Sequence, residues 1–215
     1  MFFWHKKFAE NINKEFSEVL LNPEELLKKS EIIKDDKSTT VGKFEWQDKQ
    51  YIIKRFNARN KGHAIKRSLR RSRANNCWHM SLIFLKYSIA VAKPIAMLER
   101  RAFFLKADSF FISEHIDGVE ILGWLPEQES SMQIMIKQQM IEIFTIFAKN
   151  RLSHGDMKAT NLLWSGQKIA LIDLDAAKQH SNNILFARAH ARDKRRFSRN
   201  GVLFAGIMDS FERKN

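Results

Sequence analysis

The sequence predicts an α+β fold of two small lobes, an antiparallel sheet in front and a reduced helical part behind. Three observations lead there. Residues 31–56 read as three extended segments separated by polar turns, with two further strand patterns at 94–99 and 109–114. Residues 129–150 carry apolar side chains at helical spacing over more than five turns. The chain has 215 residues, enough for a sizeable core but few for two large lobes.

The organisation expected from this is a helical lead-in over 1–30, a sheet lobe over 31–116 and a helical lobe with a basic tail over 117–215. In the lead-in, Asn22-Pro23-Glu24-Glu25 has the signature of a helix start, because proline tolerates the first turn and carboxylates favour the N-terminal end. The aromatic start, Phe2-Phe3-Trp4, reads as a hydrophobic plug on the sheet lobe. The strands follow at 31–34, 41–46 and 50–56. Residues 54–73 then hold Lys54, Arg55, Arg59, Lys61, Lys66, Arg67, Arg70, Arg71 and Arg73 with no acid among them, an anion-binding surface or a phosphate cradle. The next helix, over 74–87, is expected to bury Cys77, Trp78, Leu82 and Leu85. On the helix over 129–150, Met132, Met135, Ile136, Met140, Ile143, Phe144 and Phe147 share one face and predict the core of the second lobe.

The formal net charge of +13 and pI near 9.9 call for an acidic partner, whether nucleic acid, an anionic glycan or an anionic membrane surface. One cysteine, Cys77, excludes an internal disulfide framework and fits a reducing compartment. No apolar run is long enough to span a bilayer, and the start lacks the layout of a signal peptide, so a cytoplasmic protein is expected.

The chemistry concentrates in Ser153-His154-Gly155-Asp156-Met157-Lys158-Ala159-Thr160-Asn161 and, twelve residues on, in a short apolar strand ending at Asp173. The first stretch reads H-x-D-x-K-x-x-N. This pattern resembles the catalytic centre of protein-kinase-like phosphotransferases. Phosphoryl transfer needs a carboxylate to place the attacking hydroxyl and metal ions to neutralise charge, which assigns Asp156 as base, Asn161 and Asp173 as magnesium ligands and Lys158 to the γ-phosphate. Tyr51-Ile52-Ile53-Lys54 resembles the strand that delivers a lysine to the ATP phosphates. No G-x-G-x-x-G covers those phosphates here, so Ser38, Thr39 and Thr40 are expected to do so with hydroxyls and backbone N–H groups. Glu114 and Ile116 stand where such a chain offers backbone groups to adenine. No acid lies between Lys49 and Glu99 to pair with Lys54, and Asp175 stands where D-F-G has glycine, as a further metal-site or tethering carboxylate.

Arg70-Arg71-Ser72-Arg73-Ala74 with Trp78, then Ile89 to Ala96, His154-Gly155-Asp156 and Leu171-Ile172-Asp173-Leu174-Asp175 together resemble the bacterial lipopolysaccharide core kinase family over about residues 30–200. That resemblance implies transfer from ATP, with Mg2+, to a heptose or Kdo sugar of the inner core, by a protein peripheral to the cytoplasmic face of the inner membrane. It also implies an anionic glycolipid substrate against an anionic leaflet. A kinase of the aminoglycoside or choline type shares His154-Gly155-Asp156, but its cationic acceptors suit an acidic pocket rather than a charge of +13. A catalytically silent binding protein is the third reading. Nucleic-acid binding is the fourth, and no readout module accompanies the basic charge.

Overall fold

The computed structural model describes residues 2–57, 71–102 and 105–212, with residues 2, 102 and 105–107 described by their backbone alone. Arg59, Lys61, Lys66, Arg67 and Arg70 of the basic block lie outside the described residues. The chain divides into two units, Met1–Leu82 with Ala92–His115, and Ile83–Val91 with Ile116–Asn215.

The first unit is built on a six-stranded antiparallel sheet. Its strands are β1 (Phe2–Phe8), β2 (Glu31–Asp36), β3 (Thr39–Trp46), β4 (Lys49–Phe56), β5 (Pro94–Ala102) and β6 (Leu105–Glu114), in the order β1-β5-β6-β4-β3-β2. Alternation along β4 separates two apolar layers. Tyr51 and Ile53 join Phe44, Phe110 and Ile112 under helices α1 (Lys14–Leu20) and α2 (Pro23–Lys29), which contribute Phe16, Leu20 and Leu27. Phe56, Met97 and Phe111 face the other way, against Ala74, Cys77 and Trp78 of α3 (Arg73–Lys86).

Two expectations change here. The lead-in is not helical throughout: its first residues form β1, which pairs with β5 from Phe2↔Ala102 to Phe8↔Ala96 and packs Trp4 and Phe8 on the core. In α3 Cys77 and Trp78 are buried as expected, together with Ala74, Met80, Ser81 and Phe84, whereas Leu82 is 47% and Leu85 36% exposed. The i, i+3, i+7, i+10 phase from Ala74 places a serine inward and two leucines outward, so hydrophobicity alone misassigns part of the face.

The second unit packs around α5 (Ser130–Asn150), which follows the short β7 (Val119–Glu120) and α4 (Ile121–Trp124). Ile136, Met140, Ile143, Phe144 and Phe147 are buried along it. The Phe144 ring lies 5.7 Å from that of Phe197 and 5.8 Å from that of Phe211, both on the C-terminal helices α6 (Asn183–Ser198) and α7 (Val202–Glu212). The tail is therefore part of this core. Between α5 and α6 run β8 (Leu152–Ser153), β9 (Leu162–Trp164), β10 (Ile169–Leu171) and β11 (Lys178–Gln179); β9 pairs with β10 and β7, and β8 with β11. The H-x-D-x-K-x-x-N loop connects β8 to β9, and Asp173 follows β10. No helix among the described residues is long and apolar enough to cross a membrane.

Candidate active site

Gly155 decides where the motif loop can lie. Its φ is +83°, in the region where a side chain is strained, and a Cβ on it would stand 2.5 Å from the carbonyl oxygen of Ala176. The loop thereby rests directly on the turn that follows β10. Two further ties fix the same juxtaposition: His154 Nε2 lies 2.9 Å from the Ile172 carbonyl oxygen, and Ile172 N–H donates to the Asn161 carbonyl at 3.0 Å. The loop that carries Asp156 and Asn161 is thereby held beside the segment that carries Asp173. Gly155→Ala is expected to cost about 2–4 kcal/mol, from left-handed strain and overpacking together, and to lower the melting temperature measurably.

His154 is fully buried, and burial pushes its imidazole below the ordinary value against the opposing pull of the Asp193 carboxylate. The neutral ring donates from Nε2 to Ile172, which leaves Nδ1 to accept from Asp156 N–H at 3.4 Å. Histidine thus serves as a structural pin between loop and strand.

Asp156 is held by three side chains. Lys158 Nζ lies 3.0 Å from Oδ2, Arg196 Nη1 lies 3.0 Å from Oδ1, and Asn161 Nδ2 donates to the Asp156 backbone carbonyl at 2.8 Å and more loosely to Oδ2 at 3.4 Å. Arg196 also donates to the Gly155 carbonyl. Each carboxylate oxygen accepts along two lone-pair directions, so Oδ1 keeps one for an incoming hydroxyl. With its amide nitrogen committed to Asp156, Asn161 turns its oxygen away from that contact. Asp173 sits in the left-handed region, φ 62° and ψ 58°, which ends β10 abruptly and starts a 3-10 turn over Leu174–Ala176 that carries Asp175. Aspartate is among the few non-glycine residues that occupy this region with any frequency.

The amide oxygen of Asn161 and the carboxylate of Asp173 are hard oxygen donors, the chemistry magnesium selects. Among the described residues no group of three or more His, Cys, Asp or Glu side chains could hold a metal ion. Magnesium shared with nucleotide phosphates takes only one or two protein carboxylates, so this donor set fits it.

Two residues of the site escape sequence reasoning, and both are on α6. Asp193 is entirely buried and accepts from His154 N–H at 2.7 Å and from Gly155 N–H at 3.0 Å to each carboxylate oxygen. Arg196, one turn on, is a second cation on Asp156 beside Lys158. The available signal was Asp193 standing as the only acid among Arg188, Arg192, Lys194, Arg195, Arg196 and Arg199.

The remaining candidates belong to the sheet. Lys54 lies on the α3 side of β4, its backbone paired with Val41 and Phe111 and its ammonium 5.4 Å from the Phe56 ring centroid. Ser38 lies in the β2–β3 turn and Thr39 and Thr40 open β3, where donors of all three are already engaged. Asp36 accepts from Ser38 N–H and Oγ–H at 2.7 Å and from Thr39 N–H at 2.9 Å, while Thr40 Oγ1 donates to Asp35 at 2.8 Å. The Ser38 hydroxyl and N–H hold the Asp36 carboxyl well below the usual carboxylate range. A phosphate could use this turn only by displacing those carboxylates. Glu114 closes β6, with its N–H on the Lys93 carbonyl and its carboxylate 3.8 Å from Lys93 Nζ; Ile116 opens the stretch that leads to β7.

A profile of the Lipopolysaccharide kinase (Kdo/WaaP) family matches residues 23–203. A search of curated proteins finds no match. Among solved structures the chain is similar to one described as WaaP in complex with acyl carrier protein, at 15% identity and TM-score 0.63, over 98% of this chain and 97% of that one. That likeness extends the protein-kinase-like fold across both units. The family match spans both the strand that carries Lys54 and the loop in which Asp193 and Gly155 seat Asp156, and the chain belongs to the lipopolysaccharide kinase (Kdo/WaaP) family.

Proposed function

We propose that the protein transfers the γ-phosphoryl group of ATP to a sugar hydroxyl of the lipopolysaccharide inner core, on a heptose or a Kdo. The observation that carries this reading is the seating of Asp156 beside Asn161 and the Asp173 turn, inside the family match. Asp156 orients the acceptor hydroxyl through the open direction on Oδ1 and takes its proton as the oxygen–phosphorus bond forms and ADP leaves. Lys158, within reach of the same carboxylate, meets the γ-phosphate. Lys54 binds the α- and β-phosphates, and the backbone at Glu114 and Ile116 meets adenine. Asn161 and Asp173 would hold magnesium, which supplies charge neutralisation at the phosphates when bound. The Lys54 ammonium lies 5.4 Å from the Phe56 ring centroid, and α3 carries no glutamate of the kind other kinases pair with this lysine.

The test is a competition among acceptors. Dephosphorylated core lipopolysaccharides ending in heptose or in Kdo are offered with magnesium and ATP, beside choline and an aminoglycoside, and the phosphate is located by mass spectrometry. Phosphate on a core sugar is expected. Phosphate on the cationic small molecules alone would overturn the assignment.

A further inference from the structure

Helix α6 has two functional faces. The inner one carries Ala189, His190, Asp193 and Phe197, and holds the motif loop. The outer one is a straight row. At 100° per residue, Ile184, Leu185, Arg188, Arg192, Arg195 and Arg199 fall within about 60° of a common direction, and all six are exposed, Ile184 at 65% and Leu185 at 58%. The row is about 20 Å long at the helical rise per residue. Its only acidic neighbour on the helix, Asp193, is buried on the opposite side.

We propose that this outer face of α6 docks the protein on an anionic lipid bilayer. Four arginines in line, without a carboxylate between them, complement a plane of phosphate headgroups, which guanidinium groups engage in pairs. Ile184 and Leu185 add an apolar tip at the end of the row, the composition of a helix that lies in a membrane interface. An acidic protein would satisfy the charge, but protein hot spots place aromatic side chains in pockets, and this face is the convex side of one helix with no aromatic residue. The vesicle binding it predicts does not depend on the phosphotransfer reading; the activity control below rests on that reading.

Co-sedimentation of the full chain with phosphatidylcholine vesicles, with and without phosphatidylglycerol, tests it. Binding is expected only with phosphatidylglycerol and is expected to weaken as salt rises. Arg188→Gln, Arg192→Gln, Arg195→Gln and Arg199→Gln combined should reduce it about 100- to 1,000-fold, at roughly fivefold per arginine. Ile184→Ser with Leu185→Ser should reduce it about 10-fold. Circular dichroism checks that both variants fold, and phosphate transfer to a delipidated core oligosaccharide should be unchanged in them. Equal binding by wild type and the fourfold variant would overturn the proposal, as would indifference of the wild type to phosphatidylglycerol. So would capture by a small acidic protein at a salt concentration where vesicles fail to bind.

Discussion

Exchanging Asp156 for asparagine is expected to slow phosphate transfer about 100- to 10,000-fold while ATP binding survives. The amide matches the carboxylate in shape and can still accept from Lys158 or Arg196, so the loop keeps its course. What disappears is the anionic oxygen proposed to receive the hydroxyl proton. The loss should fall on kcat, since the proposed contacts to adenine and to the α- and β-phosphates, Glu114, Ile116 and Lys54, are on other elements. An unchanged kcat in this variant would remove Asp156 from the chemistry.

Asp193→Ala is expected to destabilise the protein by roughly 3–5 kcal/mol, because the N–H groups of His154 and Gly155 lose their charged acceptor in a buried place. Thermal unfolding measures that cost. Should the alanine variant fail to fold, Asp193→Asn is the sharper probe: one oxygen still accepts, while the new amide N–H₂ faces a backbone donor. It is expected to fold, to keep its KM for ATP and to lose about 10- to 100-fold in kcat, in line with the 1 Å sensitivity of positioned groups. A wild-type kcat in Asp193→Asn would reduce the carboxylate to a packing role. The distinction matters because α6 acts on the loop twice, through Asp193 on its backbone and through Arg196 on its side chain.

Sequence logic reaches what depends on short-range pattern. Alternation marks β3 and β4, helical spacing marks α5, and the five-residue interval from Asp156 to Asn161 is long enough for the amide to turn back on the Asp156 carbonyl, as it does at 2.8 Å. It fails where the decisive partner is distant. β1 is specified by β5, with Phe8 opposite Ala96, and nothing in Phe-Phe-Trp-His-Lys-Lys-Phe announces a strand without that neighbour. Asp193 reaches His154 from 39 positions away, so its role appears only once α6 is docked. The Ser38–Thr40 stretch illustrates a competing local rule: aspartates immediately before a turn capture its donors, and Asp36 does so here. Gly155 was legible as a motif letter, but its function, close approach to the Ala176 carbonyl, is a property of the folded loop.

The most direct measurement is magnesium-dependent transfer from radiolabelled ATP to purified dephosphorylated core lipopolysaccharide, with wild type and Asp156→Asn run side by side and ATP binding measured on both. Label in the glycolipid with wild type alone, and ATP bound by both, is the predicted result. Equal labelling by the two proteins, or none by a wild type that binds ATP, would contradict it.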